Sequence, residues 1–282
     1  MITYPNAKIN LGLNVVEDRP DGYHNLETVF YPIPLCDTLE VTLQDEATRM
    51  RTGGHLLFRQ DGMELNDEGQ LEKNLVVRVL RKVQERFGVT DALNIYLKKM
   101  IPSGAGLGGG SADASFMLKM LVEMFHLPLS TQEMIEFMTP IGADCPFFIL
   151  NRPVYARGIG EIMTEIPLSL KGYHLVLVKP SDHISTAEAF AHIVSHYPED
   201  RVKDVIRRPV KEWKGRLVND FEASIFPQHP TIVGIKENLY RLGADYVTMT
   251  GSGSSVIGLF KTPCLEAKEM SKTHFYYENQ LF

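Results

Sequence analysis

The residues from Lys99 to Asp113 read Lys-Met-Ile-Pro-Ser-Gly-Ala-Gly-Leu-Gly-Gly-Gly-Ser-Ala-Asp. Glycines at 104, 106, 108, 109 and 110 let the backbone take positive φ and let an anion approach without meeting a Cβ. Where such a loop opens a helix, unpaired N–H groups and the helix dipole favour negative charge. The chemistry suited to this spacing is the binding of a polyphosphate.

Spacing separates the families that use such loops. No Lys-Ser or Lys-Thr follows the glycines, as a Walker A loop would require. Gly104, Gly106 and Gly109 satisfy the G-x-G-x-x-G pattern of a dinucleotide turn. The acidic residue that turn needs about twenty positions on would fall near Glu123 to Glu133, where the chain reads as helix and then as a Ser130-Thr-Gln-Glu133 capping box. A protein-kinase glycine loop lacks its downstream H-R-D and D-F-G segments.

The elements that must position the loop are legible on both sides. Leu93, Ile95 and Leu97 alternate with Asn94, Tyr96 and Lys98, which predicts a half-buried strand. Ala114, Leu118, Leu121, Val122 and Phe125 recur at helical spacing, with Ser111 placed to cap that helix. Two further segments lie near the chain ends. In Pro5-Asn-Ala-Lys-Ile-Asn-Leu-Gly-Leu-Asn-Val15 the apolar residues alternate with Lys8, Asn10, Gly12 and Asn14, so these four share one polar strand face. Thr248-Met-Thr-Gly-Ser-Gly-Ser-Ser-Val-Ile-Gly258 sets a glycine and hydroxyl turn between two β-rich runs.

The ordered set Asn6-Ala-Lys-Ile-Asn10, Asp21-Gly-Tyr-His24, Gly104-Ala-Gly-Leu-Gly-Gly-Gly-Ser111, Gly142-Ala-Asp-Cys-Pro-Phe-Phe148, Asn219-Asp-Phe-Glu222 and Gly251-Ser-Gly-Ser-Ser255 resembles the GHMP small-molecule kinases over nearly the whole chain. The resemblance implies a two-lobed α+β fold. Its N-terminal lobe would be like domain 2 of ribosomal protein S5, nucleotide-binding and spanning 1–152. A ferredoxin-like C-terminal lobe, 153–282, would complete the substrate cleft. It implies ATP and Mg2+ as cofactors, with metal ligands unassigned. The Asp21-Gly-Tyr-His24 segment points to a member whose acceptor is a cytidine diphosphate derivative of methylerythritol, rather than homoserine, mevalonate or a sugar. Cys145 stands where the family usually has Val, and Ala112 where a second Ser is common.

The site residues follow from the resemblance, each beside a plainer alternative. Asp144 matches the catalytic aspartate, yet an Asp before Cys-Pro is also a good helix cap. Lys8 matches the catalytic cation; by itself it would be a solvated Lys on a strand face. Pro102, Gly104, Ala105, Gly106, Leu107, Gly108, Gly109, Gly110 and Ser111 would hold the ATP phosphates, and Asn74 the adenine, where a helix cap explains Asn74 equally well. Asn10, Tyr23, His24, Phe190, Gly251 and Ser252 would meet the acceptor, with Ser254 a further hydroxyl for its phosphates. Phe190 could equally be core, and Asp21-Gly a simple turn. Asp220 and Glu222 read as a helix start.

Composition narrows the class. The 282 residues carry 29 basic and 35 acidic side chains, net −6, so no broad attraction to nucleic acid or anionic membrane is expected. Three cysteines, an odd number, make neither a disulfide framework nor a metal knuckle, and all three are expected as buried thiols. The chain enters its first strand at once, and no window approaches about 20 apolar residues. A cytoplasmic enzyme is expected, with a homodimer compatible. The competing readings are another GHMP kinase, a catalytically silent nucleotide binder and, remotely, a nicotinamide oxidoreductase.

Overall fold

Alternation over 93–99 is realised as a strand with Leu93, Ile95 and Leu97 turned inward, and the glycine loop after it opens a long helix. The computed structural model describes residues 1–63 and 71–281. In chain order the strands are β1 (Ile2–Thr3), β2 (Asn6–Asp18), β3 (His24–Cys36), β4 (Thr38–Leu43), β5 (Leu57–Gly62), β6 (Leu93–Lys99), β7 (Val154–Gly158) and β8 (Ile162–Glu165). They continue with β9 (His174–Lys179), β10 (Tyr246–Met249), β11 (Val256–Phe260) and β12 (Phe275–Gln280). The helices are α1 (Glu46–Thr52), α2 (Leu75–Phe87), α3 (Gly109–Met124), α4 (Thr131–Met138), α5 (Cys145–Leu150), α6 (Thr186–Phe190), α7 (Val202–Val205), α8 (Phe221–Ile225) and α9 (Pro230–Arg241).

The chain divides into two units that interleave in sequence. Residues 1–7, 35–103 and 108–151 form the first; residues 8–34, 104–107 and 152–282 form the second. The last crossing falls at Arg152.

In the first unit the sheet order is β1-β4-β6-β5, with β4 antiparallel and β5 parallel to β6. Leu39 and Val41 of β4 and the inward residues of β6 pack against Val76, Val79, Leu80 and Val83 of α2 and Met117, Leu118 and Leu121 of α3. Phe137 and Met138 of α4 and Ile149 of α5 complete that core. Burial of such side chains, each worth about 1.5–3 kcal/mol, keeps strand β6 and helix α3 in fixed relation. A short 3-10 turn over Leu71–Lys73 precedes α2, which starts at Leu75. Gly88 ends α2 in the left-handed conformation, with φ 68°.

Two sheets, β2-β3-β7-β8 and β10-β11-β9-β12, build the second unit apart from the first residues of β2 and the last of β3. Its core gathers Leu13 and Val15 of β2, Val176 and Val178 of β9, Phe221 and Ile225 of α8, and Ile232, Ile235 and Leu239 of α9. Strand β2 shows the expected alternation, but its polar face is not solvated: Lys8, Asn10 and Asn14 are 4%, 2% and 1% exposed.

Two expectations are corrected. Ser111 does not cap α3, because the helix starts inside the glycines: Gly108 is its N-cap with φ 69° and no side-chain cap bond, leaving Ser111 as the third helical residue. All three thiols are free, and Cys145 and Cys264 are buried, but Cys36, the last residue of β3, is only half-buried. Among the described residues no helix is long and apolar enough to cross a membrane.

The capping box is present: the Ser130 Oγ accepts from the Glu133 N–H, and the Glu133 carboxylate accepts from the Ser130 N–H at 2.8 Å. Replacing Ser130 by Ala should cost about 1 kcal/mol, read as a lowered urea midpoint with an unchanged slope.

Candidate active site

In the first unit the entry to the glycine loop is fixed from below by charge. Lys99, at the end of β6, is 2% exposed and donates to both Asp37 and, at 2.6 Å, Asp113 of α3. Asp37 Oδ1 also accepts the N–H groups of Met100 at 2.5 Å and Ile101 at 2.9 Å. One carboxylate thus satisfies the backbone donors where β6 ends and orients the ammonium as well. Gly109 lies directly above: a Cβ there would sit 2.9 Å from Ile101 Cγ2 and 3.4 Å from Lys99 Nζ.

The charges in this cluster do not cancel. Burial works against the Lys99 ammonium, but the Asp113 and Asp37 carboxylates outweigh it and hold the amine above its ordinary range. Burial pushes the Asp113 carboxyl up to about 7, against the pull of Lys99 and with Asp37 adding to the rise. Asp113 Oδ1 has no hydrogen-bond partner, which is the geometric counterpart of that shift.

The other first-unit candidates take up structural positions that leave chemistry to their remaining atoms. Asn74 caps α2, accepting from the Val76 N–H at 2.9 Å, so the cap is realised while Nδ2 reaches toward Gln60 at 3.4 Å. Asp144 occupies the N-cap position of α5, yet its side chain makes no cap bond to the helix. Pro102 is buried, whereas Gly110 is exposed and Gly108, Gly109 and Ser111 are half-buried. Ala112 is fully buried, so a hydroxyl there would not open to solvent. Cys145 is sealed in, and burial pushes its thiol up to about 11.

In the second unit the polar face of β2 forms a continuous hydrogen-bond network. Lys8 Nζ donates to Asn10 Oδ1 at 2.7 Å and lies 5.0 Å from the Phe30 ring centroid. Asn10 Nδ2 donates to Thr28 Oγ1 at 2.9 Å, and that hydroxyl donates to the Gly12 carbonyl at 2.6 Å. The Asn10 N–H donates to Thr250 Oγ1 at 2.9 Å, and Thr250 reaches the Gly106 carbonyl at 3.3 Å. The Lys8 N–H donates to the Leu107 carbonyl at 3.0 Å.

This network couples two loops distant in sequence. Gly106 has φ 72°, and a Cβ on it would lie 2.0 Å from the Thr250 carbonyl oxygen. No side chain fits there. Asn219 holds the second loop from behind, donating to the carbonyls of Met249 and Gly251, both at 2.8 Å. Ala105 and Leu107 are buried and Gly104 is exposed. Ser252 is half-buried. Ser254 is fully buried and donates to the Asp182 carbonyl at 2.7 Å, so the expectation that its hydroxyl meets phosphate is corrected to a structural bond.

The aromatic candidates also converge in this unit. His24 and Phe190 stack with ring centroids 4.7 Å apart and 22° between planes. Phe190 meets Phe221 edge-on at 4.7 Å, so it touches the core and presents a face as well. Tyr23, next to His24 in sequence, is 61% exposed. The Asp21-Gly turn is real: Asp21 Oδ1 accepts from the Tyr23 N–H at 3.1 Å, and Arg19 pairs with Asp21 at 2.7 Å. Asp220 accepts from Asn14 and from the Val15 N–H, and Glu222 from the Met249 N–H, in line with a structural reading of both.

The second unit therefore assembles Lys8, Asn10, Gly104 to Leu107, Gly251, Ser252, Tyr23, His24 and Phe190, whereas Asn74, Pro102, Gly108 to Ser111 and Asp144 belong to the first. Thr28, Thr250, Asp37 and Lys99 were not singled out by sequence. Thr250 and Lys99 border the glycine segments, which was the available signal; Thr28 and Asp37 carried none.

A glycine loop opening a helix, interlocked with a second glycine and serine turn in a two-unit α+β chain, defines a small-molecule kinase of the GHMP type. The GHMP kinases N terminal domain model matches residues 74–152 and the GHMP kinases C terminal model residues 203–268. The chain is 52% identical over 281 residues, 100% of both chains, to 4-diphosphocytidyl-2-C-methyl-D-erythritol kinase of Bacteroides fragilis. It is 54% identical to the enzyme of that name from Bacteroides thetaiotaomicron, covering 93% of this chain and 92% of the relative. A crystal structure of 4-(cytidine 5'-diphospho)-2C-methyl-D-erythritol kinase superposes with TM-score 0.80 at 30% identity, over 100% of this chain and 99% of the other. The chain belongs to the 4-diphosphocytidyl-2-C-methyl-D-erythritol kinase family within the ATP-dependent GHMP kinases.

The buried charge cluster yields two expected outcomes. Lys99→Met, which strands two carboxylates, should lower stability by about 3–5 kcal/mol, measured by urea unfolding at pH 7. The folded Asp113 carboxyl, at about 7, lies above its unfolded value of about 3.9. Between these the folded state binds the extra proton, so this group's contribution to stability falls as pH rises from about 4 to about 7. Asp113→Asn should flatten that part of the stability profile.

Proposed function

We propose that the chain transfers the γ-phosphoryl group of ATP to the 2-hydroxyl of 4-diphosphocytidyl-2-C-methyl-D-erythritol, a step in the non-mevalonate route to isoprenoid precursors in the cytoplasm. The single observation that carries the assignment of roles is the network running from Lys8 through Asn10 and Thr250 to Gly106. It supports a phosphate-loop segment and a buried ammonium held by one set of hydrogen bonds.

Phosphoryl transfer asks a protein mostly for positioning and for charge stabilisation. In this reading the loop from Pro102 to Ser111 cradles the ATP phosphates with its backbone N–H groups. Asn74 meets the adenine through the amide atoms its cap bond leaves over. Asp144 accepts a hydrogen bond from the acceptor hydroxyl and orients it, taking its proton as the new P–O bond forms and the bond to ADP breaks. Lys8, fixed by Asn10, stabilises the negative charge that develops on that oxygen. Gly251 and Ser252 contact the acceptor's phosphates. Tyr23, His24 and Phe190 select the cytosine, the ring faces by stacking and the imidazole by hydrogen bonding.

Magnesium enters with ATP in this proposal and, when bound, neutralises charge on the phosphates. Such an ion keeps several waters and needs only one or two protein oxygens beside the phosphates. Among the described residues no group of three or more His, Cys, Asp or Glu is placed to hold a metal ion.

ADP release with magnesium-ATP tests the reading, offering the cytidylyl methylerythritol beside homoserine, mevalonate and galactose. Release with the cytidylyl compound alone is expected; release with another acceptor would discard the cytosine pocket. Asp144→Asn should cut turnover by at least about 10²-fold with ATP binding nearly intact. In His24→Ala the acceptor's KM should rise more than kcat falls, and an effect confined to ATP would place His24 at the wrong substrate.

A further inference from the structure

Between β9 and α9 the second unit holds a cluster of titratable side chains that the proposed transfer does not use. His229, just before α9, places Nδ1 3.0 Å from Asp182 Oδ1 and Nε2 2.7 Å from Glu188 Oε1. A neutral imidazole has one N–H and would turn a lone pair toward one of these carboxylates, whereas the imidazolium donates to both. The side-chain bonds to Glu188 and then Asp182 raise the His229 pKa, and the Glu188 pKa is lowered in return, chiefly by its bond to His229. The carboxylates acting on His229 are thus Asp182, from the loop after β9, and Glu188, from α6, with His183 acting in turn on Glu188.

What this bridge spans gives it consequence. Asp182 is tied to the glycine and serine loop, since its carbonyl accepts from Ser254. The next residue, His183, lays its ring against Gly104, where a Cβ would lie 3.2 Å from Cε1 and Nδ1. Ser185 then caps α6 by accepting from the Glu188 N–H at 3.1 Å. Two residues past Glu188 stands Phe190, stacked on His24. The His229 backbone is itself anchored, its N–H donating to the carbonyls of Ile225 at 3.2 Å and Phe226 at 3.3 Å. An anchored cation therefore grips both ends of the segment that runs from the phosphate-side loops to the aromatic platform.

We propose that His229 is a positioning residue for the acceptor: its imidazolium ties Asp182 to Glu188 and so holds Phe190 against His24 and His183 against Gly104. The inference rests on reading the His24 and Phe190 rings as the nucleobase platform. The bridge is complete while His229 is charged and is lost as pH rises through its raised pKa. Acceptor affinity falls over that interval and ATP affinity does not.

The test compares His229→Gln and Glu188→Gln with the wild-type chain, using cytidine diphosphate binding by calorimetry and steady-state kinetics with both substrates. Loss of a charge-assisted bond should weaken cytidine diphosphate and raise the acceptor's KM by about five- to tenfold, with the KM for ATP and kcat within about twofold. In the wild type, kcat/KM for the acceptor should decline as pH rises through the raised His229 pKa, above the ordinary imidazole range, and the decline should flatten in His229→Gln. Glu188 is partly exposed, with 32% of its side chain accessible, so Glu188→Gln keeps the test usable if the His229 variant folds poorly. Unchanged cytidine diphosphate affinity in a folded variant, or both KM values moving together, would overturn the positioning role alone. A wild-type chain that neither binds cytidine diphosphate nor turns over the cytidylyl acceptor would overturn the platform reading, and this inference with it.

Discussion

A buried ammonium between two carboxylates governs the geometry where the glycine loop begins. Lys99 joins Asp37, at the end of the β3 to β4 turn, to Asp113, in the first turns of α3. As a source of stability such a cluster is poor, because desolvating three charges offsets most of their attraction and well-packed apolar groups would serve as well. Its contribution is directional. Asp37 accepts the N–H groups of Met100 and Ile101, donors that lose strand partners where β6 stops, so the backbone leaves the sheet along one path. The helix that follows starts inside the glycines, with Gly108 as its N-cap.

Lys8 solves a different problem by different means. Its ammonium is nearly as buried as that of Lys99, and what fixes it is an amide: Asn10 Oδ1 accepts from Lys8 while Nδ2 donates to Thr28. An amide with both ends engaged cannot flip without losing two bonds, so it gives the ammonium a fixed acceptor. The aromatic face of Phe30 adds attraction at 5.0 Å without competing for the amine's donors.

Local patterns carried most of the fold, and their failures have physical causes. Alternation located β2 and β6, and helical spacing located α3, because each buries one periodic face. Alternation sorts residues by face without saying what covers the second face, so the burial of the polar side of β2 could not be read from it. Ser111 looked like a cap because hydroxyls usually begin helices, but glycine accepts the left-handed conformation at Gly108 and the helix starts earlier. At the site, motif resemblance named Lys8, Asn10 and the glycine loops. The partners that fix them, Thr28, Thr250 and Asp37, lie in other segments and follow no local period. The grip of His229 on Asp182 and Glu188 is invisible for the same reason, since it joins residues 41 and 47 positions apart.

Contact between the two glycine loops shows why neither motif can be read by itself. A Cβ at Gly106 would meet the Thr250 carbonyl at 2.0 Å, and one at Gly251 would lie 3.3 Å from the Gly106 Cα and carbonyl oxygen and 3.4 Å from Asn10 Oδ1. Each loop is the wall that denies the other a side chain. The glycines thus answer the demand shown by the packing, a junction thin enough for two main chains and the Asn10 amide to meet, and in the proposed function they also leave the backbone open to an anion. Relief of one demand by a larger residue would push Thr250 or Gly251 away and carry Asn10, the residue that locates the Lys8 ammonium, with them. The close approach of the two loops and the placement of the Lys8 ammonium are therefore properties of a single packed junction within the second unit.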